Sequence, residues 1–508
     1  MEKIQLLIAI LILSFPFTLA AQRPNIVVIV SDDHAYQTIS AYGSKLMQTP
    51  NLDRIAKEGV LFNKAYVTNS ICGPSRAVIL TGKYSHKNGF KNNDNSTFDG
   101  RQNTFIKELT KSGYQTAWIG KWHLESLPQG FTYWQILPGQ GQYYNPDFLM
   151  MNGSKKRTEG YVANIIEDIA EDWLNKRDTS KPFCLVIGHK NTHRSWMPDT
   201  ADLGLFDKIT FPLPPNFYDD YTGREAAKVQ DMSISKTMVM GYDLKMFDDS
   251  SIFNKEGSIS RMNLLQKEKY ITYYNAIHQN LMSKKLTGNA LIEWKYQRYM
   301  KDYLSTAASL DRNIGRTLDY IDKNNLTANT IVIYMSDQGF YMGEHGWFDK
   351  RFMYEESFRT PMMMRYPGVV KPGTVNNNMV MNLDIAPTLL QVAGVRIPSD
   401  IQGTSFLPLL SNHKAKGRDA MYYHYYETTV HNVSPHFGIK TNRYKLIRFY
   451  EKVNSWELYD LKKDKTEMNN LYGKPGYEKI TATLKMQLEN LILQYEDDEA
   501  LNTLRNGK

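Results

Sequence analysis

The stretch PNIVVIVSDDH, residues 24–34, joins a run of five apolar residues to a Ser-Asp-Asp ending. A continuous apolar run of this length is typical of a strand that is buried on both faces, as in a parallel sheet. The stretch NTIVIYMSDQG, residues 329–339, repeats the pattern and ends in Ser-Asp-Gln. The two stretches therefore predict a sheet with buried parallel strands whose carboxyl ends carry acidic side chains.

Helix-like and strand-like patterns alternate between these two stretches. They are TPNLDRIAKEGVLF (49–62), TFIKELTKSGYQTAWIGKWH (104–123), PFCLVIGHKNTH (182–193) and the long amphipathic YMKDYLSTAASLDRNIGRTLDYIDKN (299–324). Alternation of this kind indicates an α/β fold in which helices cover both faces of a large, mostly parallel sheet.

The remaining regions suggest the domain organisation. Residues 205–287 are polar, rich in Tyr and Lys, and interrupted by prolines, so we expect an inserted region over the active face of a domain spanning 21–416. From residue 417 to 508 the stretches AMYYHYYE, HFGIKTNRYKLIRFY and WELYDLKKD precede an amphipathic helix. These predict a smaller C-terminal antiparallel sheet with a helix.

Residues 1–20 have the features of a cleaved secretory signal peptide: an early lysine, an apolar run, and small residues at Ala20 and Ala21. The alternative is an N-terminal membrane anchor, but the run is shorter than the roughly 20 residues that a span needs. No later stretch is long and apolar enough to span. We therefore expect a secreted or periplasmic protein with no membrane span in the mature chain.

Charge and cysteine content exclude some function classes. The net charge of +8, from 61 basic and 53 acidic residues, suits an anionic substrate. There is no long basic run and no nucleic-acid-reading motif, so we expect no nucleic-acid partner. Two cysteines in 508 residues do not make a disulfide framework, although a single Cys72–Cys184 bridge remains an alternative.

Acidic and amide side chains follow the two buried strands. The carboxyl ends of parallel strands meet at one edge of a sheet, which should bring Asp32, Asp33, Asp337 and Gln338 together. Oxygen ligands alone suit a hard cation such as Ca²⁺ or Mg²⁺. A lone Asp-Asp pair is more often a turn or a helix cap, but two such strand ends in one chain favour a metal site.

Cationic and titratable residues fall at the same edge of the predicted sheet. Lys121 and His123 follow one strand, His193 follows another, and Lys350 follows the second acidic strand end. Several cations beside a metal site would attract an anion such as phosphate or sulfate.

The stretch SICGPSRAVILTG, residues 70–82, places one of the two cysteines in a polar turn. The residues alone leave a disulfide, a metal thiolate and a protease-like nucleophile open, although hard-ion ligands nearby disfavour a soft thiolate. The Cys-x-Pro-Ser-Arg block, the GKWH of residues 120–123 and the two acidic strand ends together resemble the type I sulfatase family. The resemblance covers nearly the whole mature chain and implies an alkaline-phosphatase-like fold.

The resemblance also implies roles for single residues. Cys72 would be oxidised to Cα-formylglycine by a sulfatase-maturating enzyme, and Arg76 would steady the product. The implied ligands of one Ca²⁺ are Asp32, Asp33, Cys72 as formylglycine, Asp337 and Gln338, the last in place of the Asn of many members. The implied sulfate-holding and proton-transferring residues are Lys121, His123, His193 and Lys350.

Two further stretches, PGQGQYYNPDF (138–148) and HKNTHRSWMPD (189–199), resemble the subgroup that acts on N-acetylglucosamine 6-sulfate. The implied substrate is that sulfate ester in glycosaminoglycan or mucin glycans. Asp349 and Arg351 would reach the sugar hydroxyls, and His436 would face the sugar from the small domain. The alternative for Asp349 and Arg351 is a surface ion pair, and the alternative for His436 is a strand-surface residue. Tyr143, Tyr144 and Trp196 would wall the pocket or simply pack.

Three functional readings compete with this one. The chain could act on a different sulfate position of a glycan, or it could hydrolyse phosphonate monoesters or phosphodiesters, as some relatives do. It could also bind sugars with an inactive site, in which case Cys72 would stay unmodified.

Overall fold

A computed structural model describes residues 23–247, 257–411, 415–429 and 431–506. The predicted leader, residues 1–20, lies outside the described residues. Within them, no helix combines the length and apolar character that crossing a membrane requires.

Strands and helices alternate along the described chain as the sequence patterns predict. The strands are β1 (Asn25–Ser31), β2 (Val60–Phe62), β3 (Ala65–Tyr66), β4 (Gln115–Lys121), β5 (Tyr133–Leu137), β6 (Asp147–Met150), β7 (Lys155–Arg157), β8 (Phe183–Gly188), β9 (Thr330–Ser336), β10 (Met362–Arg365), β11 (Thr374–Asn376), β12 (Val380–Met381), β13 (Ala420–Tyr425), β14 (His436–Thr441), β15 (Tyr444–Phe449) and β16 (Ser455–Asp460).

The α-helices lie between and after these strands. They are α1 (Pro50–Lys57), α2 (Cys72–Thr81), α3 (Ser85–Asn88), α4 (Phe105–Lys111), α5 (Val162–Lys176), α6 (Glu225–Val229), α7 (Gly257–Ser260), α8 (Leu264–Lys284), α9 (Gly288–Lys323), α10 (Glu355–Phe358), α11 (Ile385–Val392), α12 (Pro408–Ser411), α13 (Glu478–Tyr495) and α14 (Asp498–Asn506).

Ten strands form the large sheet, in the order β11-β2-β10-β9-β1-β8-β4-β5-β6-β7. The central neighbours β9, β1, β8, β4 and β5 are all paired in parallel. The antiparallel strand β10 separates β9 from β2, while β6 and β7 add an antiparallel hairpin at the far edge. The predicted mostly parallel sheet is confirmed, and β1 lies near its centre.

Helices cover both faces of this sheet, because alternate side chains of each strand point to opposite sides. Val27 and Ile29 of β1 pack into one core with residues of α1, α5 and α9. Ile26 and Val28 pack into a second core with residues of α2, α4 and α11. All four side chains are fully buried, which explains the unbroken apolar run of the opening stretch.

The C-terminal region forms the predicted antiparallel sheet with a helix. Its four strands follow chain order, β13-β14-β15-β16, and α13 buries Leu484, Leu488, Ile492 and Tyr495 in the core that this sheet shares with neighbouring loops. The boundary at residue 416 stays a prediction.

The segment predicted as an insertion, 205–287, contributes α6, α7 and α8 among the described residues. The ammonium group of Lys245, within this segment, donates to the backbone oxygens of Ser195 at 2.6 Å and Trp196 at 2.9 Å. It therefore fixes the loop after β8 that carries His193. The limits of the insertion, residues 205 and 287, stay a prediction.

Candidate active site

Four oxygen-bearing side chains meet where β1 and β9 end side by side. Asp32 and Asp33 follow β1, Asp337 and Gln338 follow β9, and all four are fully buried. The three carboxylates offer oxygens that lie within 4.8 Å of one another. Among the described residues, Oδ1 of Asp32 and Oε1 of Gln338 have no hydrogen-bond partner. Buried acceptors are normally satisfied, so these residues fit a hard cation.

The protonation of this group shows how closely the charges are crowded. Burial, reinforced by the charge of Asp32, raises the pKa of Asp337 to about 7. Burial also opposes ionisation of Asp32, but the adjacent Lys121 holds the pKa of that carboxyl well below its usual value. One carboxyl thus retains a proton near neutrality when no cation offsets the repulsion, which a bound divalent cation would reverse.

Cys72 is the first residue of α2 and is 1% exposed. Both cysteines are free thiols, so the Cys72–Cys184 disulfide alternative is wrong. Burial raises the pKa of the Cys72 thiol despite the nearby charges of Lys350 and Lys121. A neutral thiol is a poor nucleophile and a poor metal ligand, which argues against the two thiolate interpretations. Its sulfur lies within 4.8 Å of ligand atoms of Asp32 and His193.

Arg76, one turn further along α2, ties three elements together. Its Nε donates to Oδ2 of Asp337 at 3.0 Å, and one terminal nitrogen donates to the backbone oxygen of Lys121 at 2.9 Å. The side chain is fully buried, so these contacts lock α2 against the ends of β9 and β4.

Two lysines complete the group. Lys121, the last residue of β4, pairs with Oδ2 of Asp32 and contacts Oε1 of Gln140 at 2.5 Å. Lys350 pairs with Oδ2 of Asp33 at 2.7 Å. Burial works against the charge of Lys350, but Asp33 outweighs it and raises the pKa of the ammonium group. We call Asp32, Asp33, Cys72, Lys121, Asp337, Gln338 and Lys350 the strand-end cluster.

Two histidines border the strand-end cluster. His193 has Nδ1 2.6 Å from the backbone oxygen of Arg194, so Nδ1 carries the proton and Nε2 is left for the site. His123 follows β4 with a φ of 56°, and its Nε2 lies 3.1 Å from the amide nitrogen of Gln140. Burial lowers the pKa of both imidazoles well below the usual value. Both are therefore neutral in the unliganded protein.

Asp349 and Arg351 flank Lys350 on the loop after β9. A terminal guanidinium nitrogen of Arg351 lies 2.6 Å from Oδ1 of Asp349, and the two residues are only 5% and 4% exposed, respectively. The alternative of a surface ion pair is therefore wrong. His431, on the loop between β13 and β14, places Nε2 2.8 Å from Oδ2 of Asp349. We call Asp349, Arg351 and His431 the rim group.

The prediction that His436 faces the sugar is wrong. His436 is fully buried, and its ring stacks with those of Phe352 and Tyr423. Its Nδ1 bonds the backbone oxygen of Ser434 at 2.8 Å, and its Nε2 accepts from the backbone nitrogen of Met353 at 3.1 Å. Both ring nitrogens are occupied, so His436 supports the loop after Lys350 and has no group left for a ligand.

Three aromatic candidates are buried in the core. Tyr143, Tyr144 and Trp196 are at most 1% exposed and belong to the core around α9. Their packing is thus shown, and a role as pocket walls stays a prediction.

Sequence reasoning missed three polar residues at the site. Gln140 contacts Lys121 and His123, His431 contacts Asp349, and Asn93 accepts a hydrogen bond from the backbone nitrogen of Gly73 at 3.2 Å. Only Gln140 lies in a stretch with a signal, since glycines flank it in PGQG. Asn93 and His431 lie in irregular loops whose positions depend on tertiary contacts.

Comparison with known proteins places this site in a family. The sulfatase family profile matches residues 24–395, and a profile described as the C-terminal part of N-sulphoglucosamine sulphohydrolase matches residues 343–494. The chain belongs to the sulfatase family. Sulfatases are sulfuric ester hydrolases. One member, an N-acetylglucosamine-6-O-sulfatase of Bacteroides thetaiotaomicron, is 49% identical over 94% of this chain and 88% of its own.

Other relatives of this sulfatase agree in fold or in name. A solved structure with 48% identity, described as a complex with its substrate D-glucosamine-2-N,6-O-disulfate, superposes with a TM-score of 0.91 over 94% of this chain and 99% of its own. The human N-acetylglucosamine-6-sulfatase is 26% identical over 78% of this chain and 66% of its own. The family expected from the sequence, and its fold, are confirmed.

Proposed function

We propose that this sulfatase hydrolyses the 6-O-sulfate ester of N-acetylglucosamine in glycosaminoglycan or mucin glycans. The observation that carries the proposal is the 49% identity to the Bacteroides N-acetylglucosamine-6-O-sulfatase, over nearly the full length of both chains. The substrate complex of the structural neighbour, a 6-O-sulfated glucosamine, supports the same ester position. The buried rim group beside Lys350 supports a sugar whose hydroxyls are read close to the sulfate.

The strand-end cluster fits the two groups that the family implies. Asp32, Asp33, Asp337 and Gln338, with residue 72, would hold one Ca²⁺. Bound Ca²⁺ supplies positive charge that polarises the ester and favours ionised oxygen ligands. Cys72 converted to formylglycine supplies, as its hydrate, a hydroxyl for attack on sulfur and a second hydroxyl for release of sulfate.

The lysines and Arg76 bind and orient the anion. Lys121 pairs with Asp32 and Lys350 pairs with Asp33, so a sulfate group bound beside these neighbouring acids would be stabilised by both ammonium charges. Arg76 keeps the first turn of α2 against Asp337 and so fixes where residue 72 lies. These cations would offset charge on the sulfuryl oxygens.

Two histidines move protons. His193 has Nε2 directed to the site, and the negative charge of a bound sulfate ester raises its pKa, so it can protonate the departing sugar oxygen with Lys350 alongside. His123, neutral in the free protein, accepts the proton that must leave when sulfate is released. His193 thus acts with a protonated Nε2, and His123 acts with an unprotonated Nε2.

The rim group reads the sugar. Asp349 accepts and Arg351 donates hydrogen bonds, a combination that suits a hydroxyl, which can do both. We include His431 here because it bonds Asp349 from the small domain, and we exclude His436 because both of its ring nitrogens are already bonded. A site built to bond a hydroxyl strongly rejects a sugar that lacks it, because its buried polar groups are then left unpaired.

The cellular setting follows the same proposal. The leader-like residues 1–20 support export to the periplasm or the medium, and Pro74 and Arg76 after Cys72 support recognition by a sulfatase-maturating enzyme. Mass spectrometry of the peptide that carries residue 72, from a maturation-competent host, should show formylglycine. A persistent thiol there would refute this part of the proposal.

The substrate is tested by sulfate release from N-acetylglucosamine 6-sulfate and from 2-, 3- and 4-sulfated monosaccharides. We expect release from the 6-sulfate of N-acetylglucosamine, and no release from it by formylglycine-containing enzyme would overturn the substrate. Paired aryl sulfate and aryl phosphate esters test the alternative chemistry. Faster hydrolysis of the phosphate ester would favour the phosphonate or phosphodiester reading instead.

A further inference from the structure

Gln140 lies between two residues that the proposed reaction uses. It follows β5 in the turn Pro138–Gly139–Gln140–Gly141, in which the backbone nitrogen of Gly141 donates to the backbone oxygen of Pro138 at 2.9 Å. Gly139 and Gly141 have φ values of 51° and 68°, a region that favours glycine. The two glycines thus shape a tight turn that presents the one long polar side chain between them.

A buried lysine holds this turn from below. The ammonium group of Lys190 donates to the backbone oxygen of Gln140 at 3.0 Å and lies 4.9 Å from the ring centre of Tyr143. Lys190 is 4% exposed, so the contact is shielded from water. The backbone of Gln140 is therefore fixed independently of its side chain.

The side-chain amide of Gln140 has only one consistent orientation. A lysine ammonium group can only donate hydrogen bonds, so the atom 2.5 Å from Nζ of Lys121 must be the carbonyl oxygen Oε1. The amide nitrogen then faces Nε2 of His123 at 3.1 Å. The opposite orientation would place the amide NH₂ of Gln140 against the ammonium group of Lys121, so that two donors would face each other.

That orientation decides the state of His123. An amide nitrogen can only donate, so Nε2 of His123 must carry the lone pair, and the proton of the neutral ring lies on Nδ1. Among the described residues, Nδ1 is buried without a partner, so no other contact there selects the opposite tautomer. Gln140 also contacts Lys121, which pairs with Asp32, so this one amide links Nε2 of His123 to the strand-end cluster.

We propose that Gln140 is a positioning residue that orients Lys121 and holds His123 in the neutral tautomer with an unprotonated Nε2. The single lone pair of this Nε2 accepts from the amide of Gln140, so it takes up the proton lost when sulfate is released only once that amide gives way to the hydroxyl that loses the proton. The inference deepens the proposed function and rests on its assignment of His123. It applies to any sulfate ester that the enzyme hydrolyses, whatever the sugar.

The first test needs no activity. Protein with unconverted Cys72 is labelled with ¹⁵N-histidine, and the signals of His123 are identified by their loss in His123→Asn. We expect the signals of an unprotonated Nε2 and a protonated Nδ1 in the wild-type protein. Gln140→Glu keeps an acceptor for Lys121 but replaces the donor toward His123, so the proton should move to Nε2. A protonated Nε2 in the wild-type protein would overturn the proposal.

The second test separates positioning of His123 from simple support of Lys121. With mature enzyme and an aryl sulfate, we expect Gln140→Glu to lower kcat by about 10²-fold, the usual contribution of one general base. KM should change less than the roughly threefold scatter of surface variants. Because the late proton transfer becomes slow, the alcohol should be released in a burst before a slower steady state.

Gln142→Leu, two residues further along the same loop, is the matched control, and we expect wild-type kcat. Wild-type kcat in Gln140→Glu would show that only the contact with Lys121 matters and would overturn the proposal. Should Gln140→Glu not fold, Gln140→Leu removes both contacts. It should lower kcat without a change in calcium content, whereas an unchanged kcat would again contradict the role of Gln140.

Discussion

The strand-end cluster and the rim group lie side by side but are built in different ways. Asp32, Lys121 and Asp337 follow directly from buried parallel strands, so their backbones are fixed by the sheet. Asp349 and Arg351 lie on a loop with φ values of 78° and 100°, and their partner His431 comes from the small domain. In the proposed function, the scaffold thus carries the chemistry, whereas loops that tertiary contacts hold in place carry the recognition of the sugar.

This difference predicts which substitutions act on every substrate and which act only on sugars. Changes in the strand-end cluster should lower hydrolysis of any sulfate ester, including a small aryl sulfate that has no sugar hydroxyls. Changes in the rim group should spare the aryl sulfate.

The largest effect is expected for Cys72→Ala, which removes the residue proposed as the precursor of the nucleophile. We expect a loss of about 10⁴-fold or more in kcat on both kinds of substrate, as for other nucleophile deletions. Cys184→Ala is the matched control, because Cys184 is a fully buried thiol in β8 away from the site. It should keep wild-type kcat at a cost of about 1 kcal/mol in stability. An equal loss of kcat in both variants would contradict a catalytic role that is specific to residue 72.

A smaller but still general effect is expected for Lys121→Ala. Loss of this cation should lower kcat/KM by about 10²–10³-fold on N-acetylglucosamine 6-sulfate and on an aryl sulfate alike, because in the proposed function it contacts the sulfate end of both. The exposed Lys156→Ala on β7 should have no effect. A loss confined to the sugar substrate would show that Lys121 contributes to sugar recognition and not to the chemistry shared by all sulfate esters.

The strand-end cluster should also respond to calcium and pH. The pKa of Asp337 is raised to about 7, above the usual value of 3.8, so the folded, metal-free protein holds this proton more tightly than the unfolded chain. Metal-free protein should therefore lose stability as pH rises from about 4 to about 7 through this group. Calcium replaces the proton, so the rise in Tm on adding Ca²⁺ should be larger at pH 8 than at pH 6. A larger rise at pH 6 would contradict the ligand set.

The smallest effect on catalysis separates two histidines of the small domain. His431→Ala should lower kcat/KM on the sugar by about tenfold, the value of one lost hydrogen bond to a charged group. His436→Ala should leave kcat per folded enzyme unchanged but lower the free energy of unfolding by about 2–4 kcal/mol, since it empties a packed aromatic site. The reverse pattern would restore the sequence-based assignment of His436.

The same contrast explains what the sequence could predict. Apolar runs ending in Ser-Asp indicate both the strand and the position of its acids, because a parallel sheet brings its carboxyl ends together. The pairing of His431 with Asp349 has no such signal, since it joins loops about 80 residues apart through the packing of two domains. The prediction for His436 was wrong because a strand pattern in the sequence does not show that both faces of β14 are buried.

The most direct test of the comparison is Arg351→Ala assayed on two substrates side by side. Arg351 is bonded to Asp349 in the rim group, while its neighbour Lys350 pairs with Asp33 in the strand-end cluster. We expect kcat/KM for N-acetylglucosamine 6-sulfate to fall by about 10²-fold or more, while kcat/KM for an aryl sulfate stays within about threefold of wild type. An equal fall on both substrates would show that the sugar and the sulfate are not read by separate parts of the site.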